Sequence, residues 1–192
     1  MIGGSLGVAA GLQNSGITYS TDGDKLDWGT AGMQAALSYY YFPIDFLGVG
    51  AEISGGSFNG ADKHWYSYSE KFRDHTQVMN LFLSARFTVN PKDRVRFYVP
   101  GGAGWTVAEQ KLKIKDPSFE KHSTEVSFGW FAGLGAEWDI WDDVWSAGVE
   151  VRYHTFKYDT DALTHDAPSF VKGEGKRRYS YLVCFFKISK RF

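Results

Sequence analysis

The sequence predicts an all-β chain, an eight-stranded antiparallel up-and-down β-barrel that crosses a membrane with its strands. Three observations lead there. Apolar and polar residues alternate with a period of two through most of the 192 residues, the pattern of strands with one face dry and one wet. The connections alternate between short turns and long polar loops, as in transmembrane barrels. Aromatic residues make up 17 % of the chain, and rings sit near both ends of the apolar faces, where two membrane–water interfaces would meet them.

The strands follow in order. The first is expected from about Ser5 to Tyr19. From Gly32 to Phe42 one face reads Met33, Ala35, Leu37, Tyr39 and Tyr41. From Phe46 to Ser54 it reads Leu47, Val49, Ala51 and Ile53, with Glu52 on the other face. From Val78 to Val89, Met79 to Val89 alternate with Asn80, Phe82, Ser84, Arg86 and Thr88. Val95 to Val107 and Val126 to Trp138 repeat the pattern, with Arg96 and Glu137 on their polar faces. Trp145 to Tyr153 alternates with Glu150, Arg152 and His154, and Lys176 to Phe192 makes the eighth strand. Short turns are expected at Phe42–Asp45, Asn90–Asp93 and Asp139–Asp143, rich in the Pro, Asn and Asp that tight turns use. Longer loops fall near 20–31, 59–75, 115–124 and 159–175.

One barrel domain, 1–192, accounts for the whole length. The net charge of −1 shows no basic excess, so nucleic acid is not an expected partner. No run of 18 apolar residues occurs, which excludes a spanning helix but not spanning strands. Cys184 is the single cysteine, so no internal disulfide can form. Met1-Ile2-Gly3-Gly4-Ser5 lacks the charged-then-apolar pattern of a secretory signal, and a signal removed before this start is the expectation.

Alternation alone does not say whether the apolar face meets a core or lipid, and a soluble lipocalin-like carrier is the rival. Apolar faces of six or seven residues without a charge suit a tilted membrane crossing. Tyr39, Tyr41, Phe87, Phe97, Trp138, Trp141 and Trp145 gather toward the short turns. Trp105, Trp130, Tyr153 and Tyr181 gather toward the long loops. The chain then ends Phe186-Lys187-Ile188-Ser189-Lys190-Arg191-Phe192. Phe192, Ile188 and Phe186, with Cys184 and Leu182 before them, resemble the assembly signal of bacterial outer-membrane barrels, and Lys190 breaks the pattern where a cation could snorkel to the interface. The whole chain resembles the small eight-stranded barrels of the OmpA transmembrane-domain and OmpX/Ail type. That resemblance implies a bacterial outer membrane, both termini periplasmic, short periplasmic turns, longer extracellular loops, and the barrel assembly machinery as a partner in biogenesis.

With apolar residues toward lipid, Glu52, Arg86, Arg96, Glu137, Glu150, Arg152 and His154 point inward. Eight strands enclose a space just wide enough for side chains, and buried charges need partners. A salt-bridge network that plugs the interior is expected, with a narrow ion path as the alternative. Inward glycines, among them Gly102, Gly104, Gly133 and Gly135, leave room for the long side chains.

Chemistry is sparse. Outer-membrane lipid A deacylases of the PagL type carry a His with a Ser two residues on; here His154 is followed by Phe156, and the nucleophile is missing. His64, His75, His122, His154 and His165 are scattered without the spacing of a metal site, and no metal or cofactor is expected. Loop residues Trp65, Tyr66 and Tyr68, and Lys176, Arg177 and Arg178 after the last loop, are the binding candidates: rings beside cations suit glycans, lipopolysaccharide phosphates or another protein. Two classes of function stay open. One is a structural or interaction barrel: a membrane stabiliser, an adhesin at a host surface, or a subunit of an envelope assembly. The other is a lipid A-modifying enzyme.

Overall fold

Successive residues of a strand point to opposite faces, so paired strands of this sequence must sort their apolar and polar residues onto two surfaces. The computed structural model describes residues 1–12, 14–18, 25–27, 31–59, 63–64, 71–114, 119–141, 144–167, 169 and 171–192. Eight strands form the wall: β1 (Ile2–Gly11), β2 (Ala31–Ile44), β3 (Leu47–Asn59), β4 (Lys71–Thr88), β5 (Val95–Ile114), β6 (Phe119–Trp141), β7 (Trp145–Asp159) and β8 (Lys176–Lys190). Each pairs antiparallel with the next in sequence. The last returns to the first, from Ile2↔Lys190 to Gly11↔Tyr181. The ring is therefore closed.

Outside lies an apolar band. Along β4 and just past its end it runs Met79, Leu81, Leu83, Phe87 and Val89, and Leu83 is 76 % exposed. Ten residue steps of tilted strand make a band about 25 Å tall, the height of a hydrocarbon layer. Trp105 and Trp130 face outward toward the long loops, and Tyr41, Phe97, Trp138 and Trp141 face outward toward the short turns. No helix among the described residues is long and apolar enough to cross a membrane; the strands make the crossing.

Three expectations are corrected. The first strand does not run on to residue 19. β1 ends at Gly11, and Asn14–Thr18 leaves the wall to pair with Lys25–Asp27 and Lys172–Gly173 in a small separate sheet. Gln13 to Gly16 offers lipid nothing apolar, and Ile17 is buried in the mouth of the barrel instead. Next, β4, β5 and β6 extend well past their apolar stretches, to Lys71, Ile114 and Phe119. Ladder hydrogen bonds need no apolar side chains, so pairing continues beyond the membrane. Lastly, Tyr181 does not belong to the outer ring of aromatics: it is fully buried inside, because the outward residues of β8 are the even-numbered ones.

Candidate functional site

The interior is stratified along the barrel axis. Nearest the short turns, Arg96 meets Asp139 with two nitrogens, Nη1–Oδ2 at 2.6 Å and Nη2–Oδ1 at 2.5 Å. Glu137 Oε1 accepts from Arg86 Nη2 at 2.6 Å, Arg96 Nε at 3.0 Å and, from the rim, Arg191 Nη2 at 3.2 Å. One level up, Arg86 stacks 3.7 Å above the Tyr98 ring, and the Tyr98 hydroxyl donates to Glu150 at 2.8 Å. Lys187 lies 3.8 Å from the same carboxylate. Above that, Arg152 bridges Glu150 and Glu52, the latter 100 residues away in sequence.

Glu52, Glu137, Asp139 and Glu150 thus face Arg86, Arg96, Arg152 and Lys187, all buried. Charges in equal number satisfy one another where no solvent does. Asp139 and Lys187 were not among the residues that the sequence singled out. Asp139 reads as part of a turn, but β6 continues to Trp141. Lys187 has the inward parity of Val183 and Phe185, a signal that was available.

Glycines make the space. A Cβ on Gly135 would lie 2.3 Å from the Tyr98 ring, and one on Gly102 would lie 2.5 Å from the Phe131 ring. Each ring fills the volume that a side chain on the facing strand would take.

His154 departs from the expectation of a hydrogen-bonded network member. It is 1 % exposed, and neither ring nitrogen has a hydrogen-bond partner among the described residues. Its neighbours at that level are rings. Tyr181 lies parallel at 4.8 Å and Phe131 at 5.3 Å. Beside this stack, Asn80 donates to Ser54 at 3.0 Å and to the Tyr181 hydroxyl at 3.3 Å. Phe156, two residues on, is also buried, so no hydroxyl stands at the position a deacylase would need.

Toward the long loops the filling turns apolar. Phe58, Leu112, Phe156, Tyr158 and Tyr179 are joined by Ile17, Leu163 and Val171 from the loops. The segment between β7 and β8, with a short helix (Asp161–Thr164), supplies Leu163 and Val171 to them. It is tied to itself: Gly173 N donates to Thr164 Oγ1 and Gly175 N to Asp161 Oδ1, both at 3.0 Å. Gly175, with φ of 72°, occupies the left-handed region that glycine enters without cost.

A profile described as "Outer membrane protein beta-barrel domain" matches residues 3–170. The chain belongs to this family. As an outer membrane barrel, its exposed apolar band is its lipid surface. No curated protein sequence matches the chain. Among solved structures it is similar to Neisserial surface protein A, at 12 % identity and TM-score 0.53, over 99 % of this chain and 97 % of that one. It is also similar to OprG of Pseudomonas aeruginosa, at 13 % identity and TM-score 0.54, over 99 % and 95 %. The outer membrane protease OmpT of Escherichia coli aligns at 9 % identity and TM-score 0.52, over 99 % and 96 %. These likenesses concern the fold. A protease among them means that the architecture alone does not assign an activity.

Of the binding candidates on this outer membrane barrel, Trp65, Tyr66 and Tyr68 lie outside the described residues. Lys176 and Arg178 face outward at the long-loop end, while Arg177 turns to the rim and pairs with Glu174. Phe186, Ile188 and Phe192 face outward on or just after β8, with Phe192 83 % exposed.

Proposed function

We propose that this protein is a closed outer-membrane barrel that acts through its outer surface and loops, as a structural or interaction protein of the envelope, and not through its lumen. The observation that carries this is the filled interior: four buried carboxylates paired with four buried cations at one end and an apolar plug at the other. The resemblance to small outer-membrane barrels supports placing both termini and the short turns in the periplasm, with the long loops outside and the outward residues Phe186, Ile188 and Phe192 meeting the assembly machinery during insertion.

Reconstitution in planar bilayers tests the closed lumen: no stable unitary conductance is expected, and a reproducible open level in the wild-type protein would overturn the reading. Sidedness is tested separately in a Cys184→Ser background. His165→Cys should react with a membrane-impermeant maleimide on intact cells, and Lys92→Cys only after the outer membrane is permeabilised. The reverse pattern would invert the barrel.

A further inference from the structure

Charges that face one another across neighbouring strands are matched at one place on this wall and mismatched at another. On the β5–β6 extension, Lys111 and Lys113 reach Glu120 at 2.5 and 3.0 Å, and His122 lies 3.5 Å from Glu109. On β7 and β8, by contrast, Lys157 stands directly opposite Arg178. Both face outward, and no carboxylate among the described residues pairs with either. Like charges directly opposite on a sheet repel, so this arrangement costs stability unless an anion lies between them.

The surroundings say what kind of anion. Lys176 is the next outward residue on β8, and Glu125, its carboxylate neighbour at 3.7 Å, is also taken up by the Asp159 backbone N–H. The three cations, with Glu125 held by Lys176 and the Asp159 N–H, line a groove of about 480 Å³ in the outer wall. Its β6 side is apolar, with Phe128 and, one outward residue nearer the short-turn end, Trp130, 5.6 Å from Tyr153. Cations and rings share this groove on the lipid side of the barrel, at the level where its apolar band ends, with Trp130 and Tyr153 on the membrane side of Lys157 and Arg178. The occupant that fits both halves is amphiphilic, with a phosphate at the top and hydrocarbon beneath.

We infer that this groove between β6, β7 and β8 binds the phosphorylated, acylated glycolipid of the outer leaflet, lipid A, with a phosphate held between Lys157 and Arg178 and an acyl chain against Phe128 and Trp130. Position in the outer leaflet rests on the long-loop end being external. Binding in a symmetric nanodisc does not depend on that, so the two claims fail separately.

The experiment is native mass spectrometry of the full chain in nanodiscs containing lipid A, dephosphorylated lipid A or phosphatidylglycerol. The wild type should retain lipid A, with little retention of the other two. Lys157→Gln with Arg178→Gln should weaken retention by about tenfold or more, the factor expected for losing two headgroup contacts. Lys157→Arg with Arg178→Lys should preserve it. Arg178→Glu separates binding from folding: it creates an ion pair with Lys157, so it should abolish lipid A retention while the melting temperature in lipid-free detergent stays level or rises. Equal retention of phosphatidylglycerol, or unchanged lipid A retention in the double Gln variant, would overturn the assignment.

Discussion

At the scale of single residues, the lumen is built as much by absence as by presence. Tyr98 and Arg86 can stack because Gly135 and its neighbours leave the facing wall bare. Gly135→Ala should cost about 1–3 kcal/mol, the range for overpacking a filled interior. Gly4→Ala should be nearly silent, within about 0.5 kcal/mol, because nothing lies within 4 Å of the Cβ it would add. Equilibrium unfolding of the two variants in detergent measures both, and equal effects would mean that the Tyr98 contact is not tight. The inward charges Glu52, Arg86, Arg96, Glu137, Glu150 and Arg152 were legible from parity alone, since alternation fixes which face a residue takes. What they touch was not. His154 has the same parity, yet it lies between rings, because the residues opposite it on the two neighbouring strands are Phe131 and Tyr181.

At the scale of elements, parity and turn chemistry located all eight strands, and their ends were the part that stayed hidden. Hydrophobic alternation stops where lipid stops, but β5 and β6 go on pairing for another six or seven residues, held by ladder hydrogen bonds and matched charges. Glu120 at that tip has its carboxyl pulled down to about 2 by hydrogen bonds from Lys111 and Lys113. A lowered folded-state pKa means that its contribution is complete above the ordinary carboxylate range and is lost as pH falls toward about 2. The carboxylate is exposed and screened, so the effect should be local. NMR titration of the Glu120 carboxyl should give a midpoint well below that of a free Glu, and Lys111→Gln with Lys113→Gln should return it upward. An unshifted midpoint in the wild type would show that these contacts do not persist in solution. The short strand Asn14–Thr18 was read as wall, although Ile17 falls out of step with the outward Leu6, Val8, Ala10 and Leu12; the closed barrel shows its side chain buried in the mouth.

At the scale of the whole molecule, the interior joins distant parts of the chain into one unit. Arg152 is the centre of that joining, flanked by Glu52 and Glu150. Arg152→Met should destabilise the barrel by about 3–5 kcal/mol, since it strands buried carboxylates. Adding Glu52→Gln and Glu150→Gln should recover much of the loss. Thermal shift of the folded band on unheated gels reads both, and a triple variant no better than Arg152→Met would show that pairing is not what the arginine supplies. The same arrangement constrains how the barrel is made. Among the described side chains of the first four strands, Glu52 and Arg86 are the buried charges, and their partners Arg152 and Glu137 lie on β7 and β6. An N-terminal half that entered hydrocarbon alone would carry both charges bare. Lys187, on the last strand, completes the set. Passage into the bilayer therefore has to wait for the C-terminal hairpins, so the nascent chain commits as a whole or remains outside.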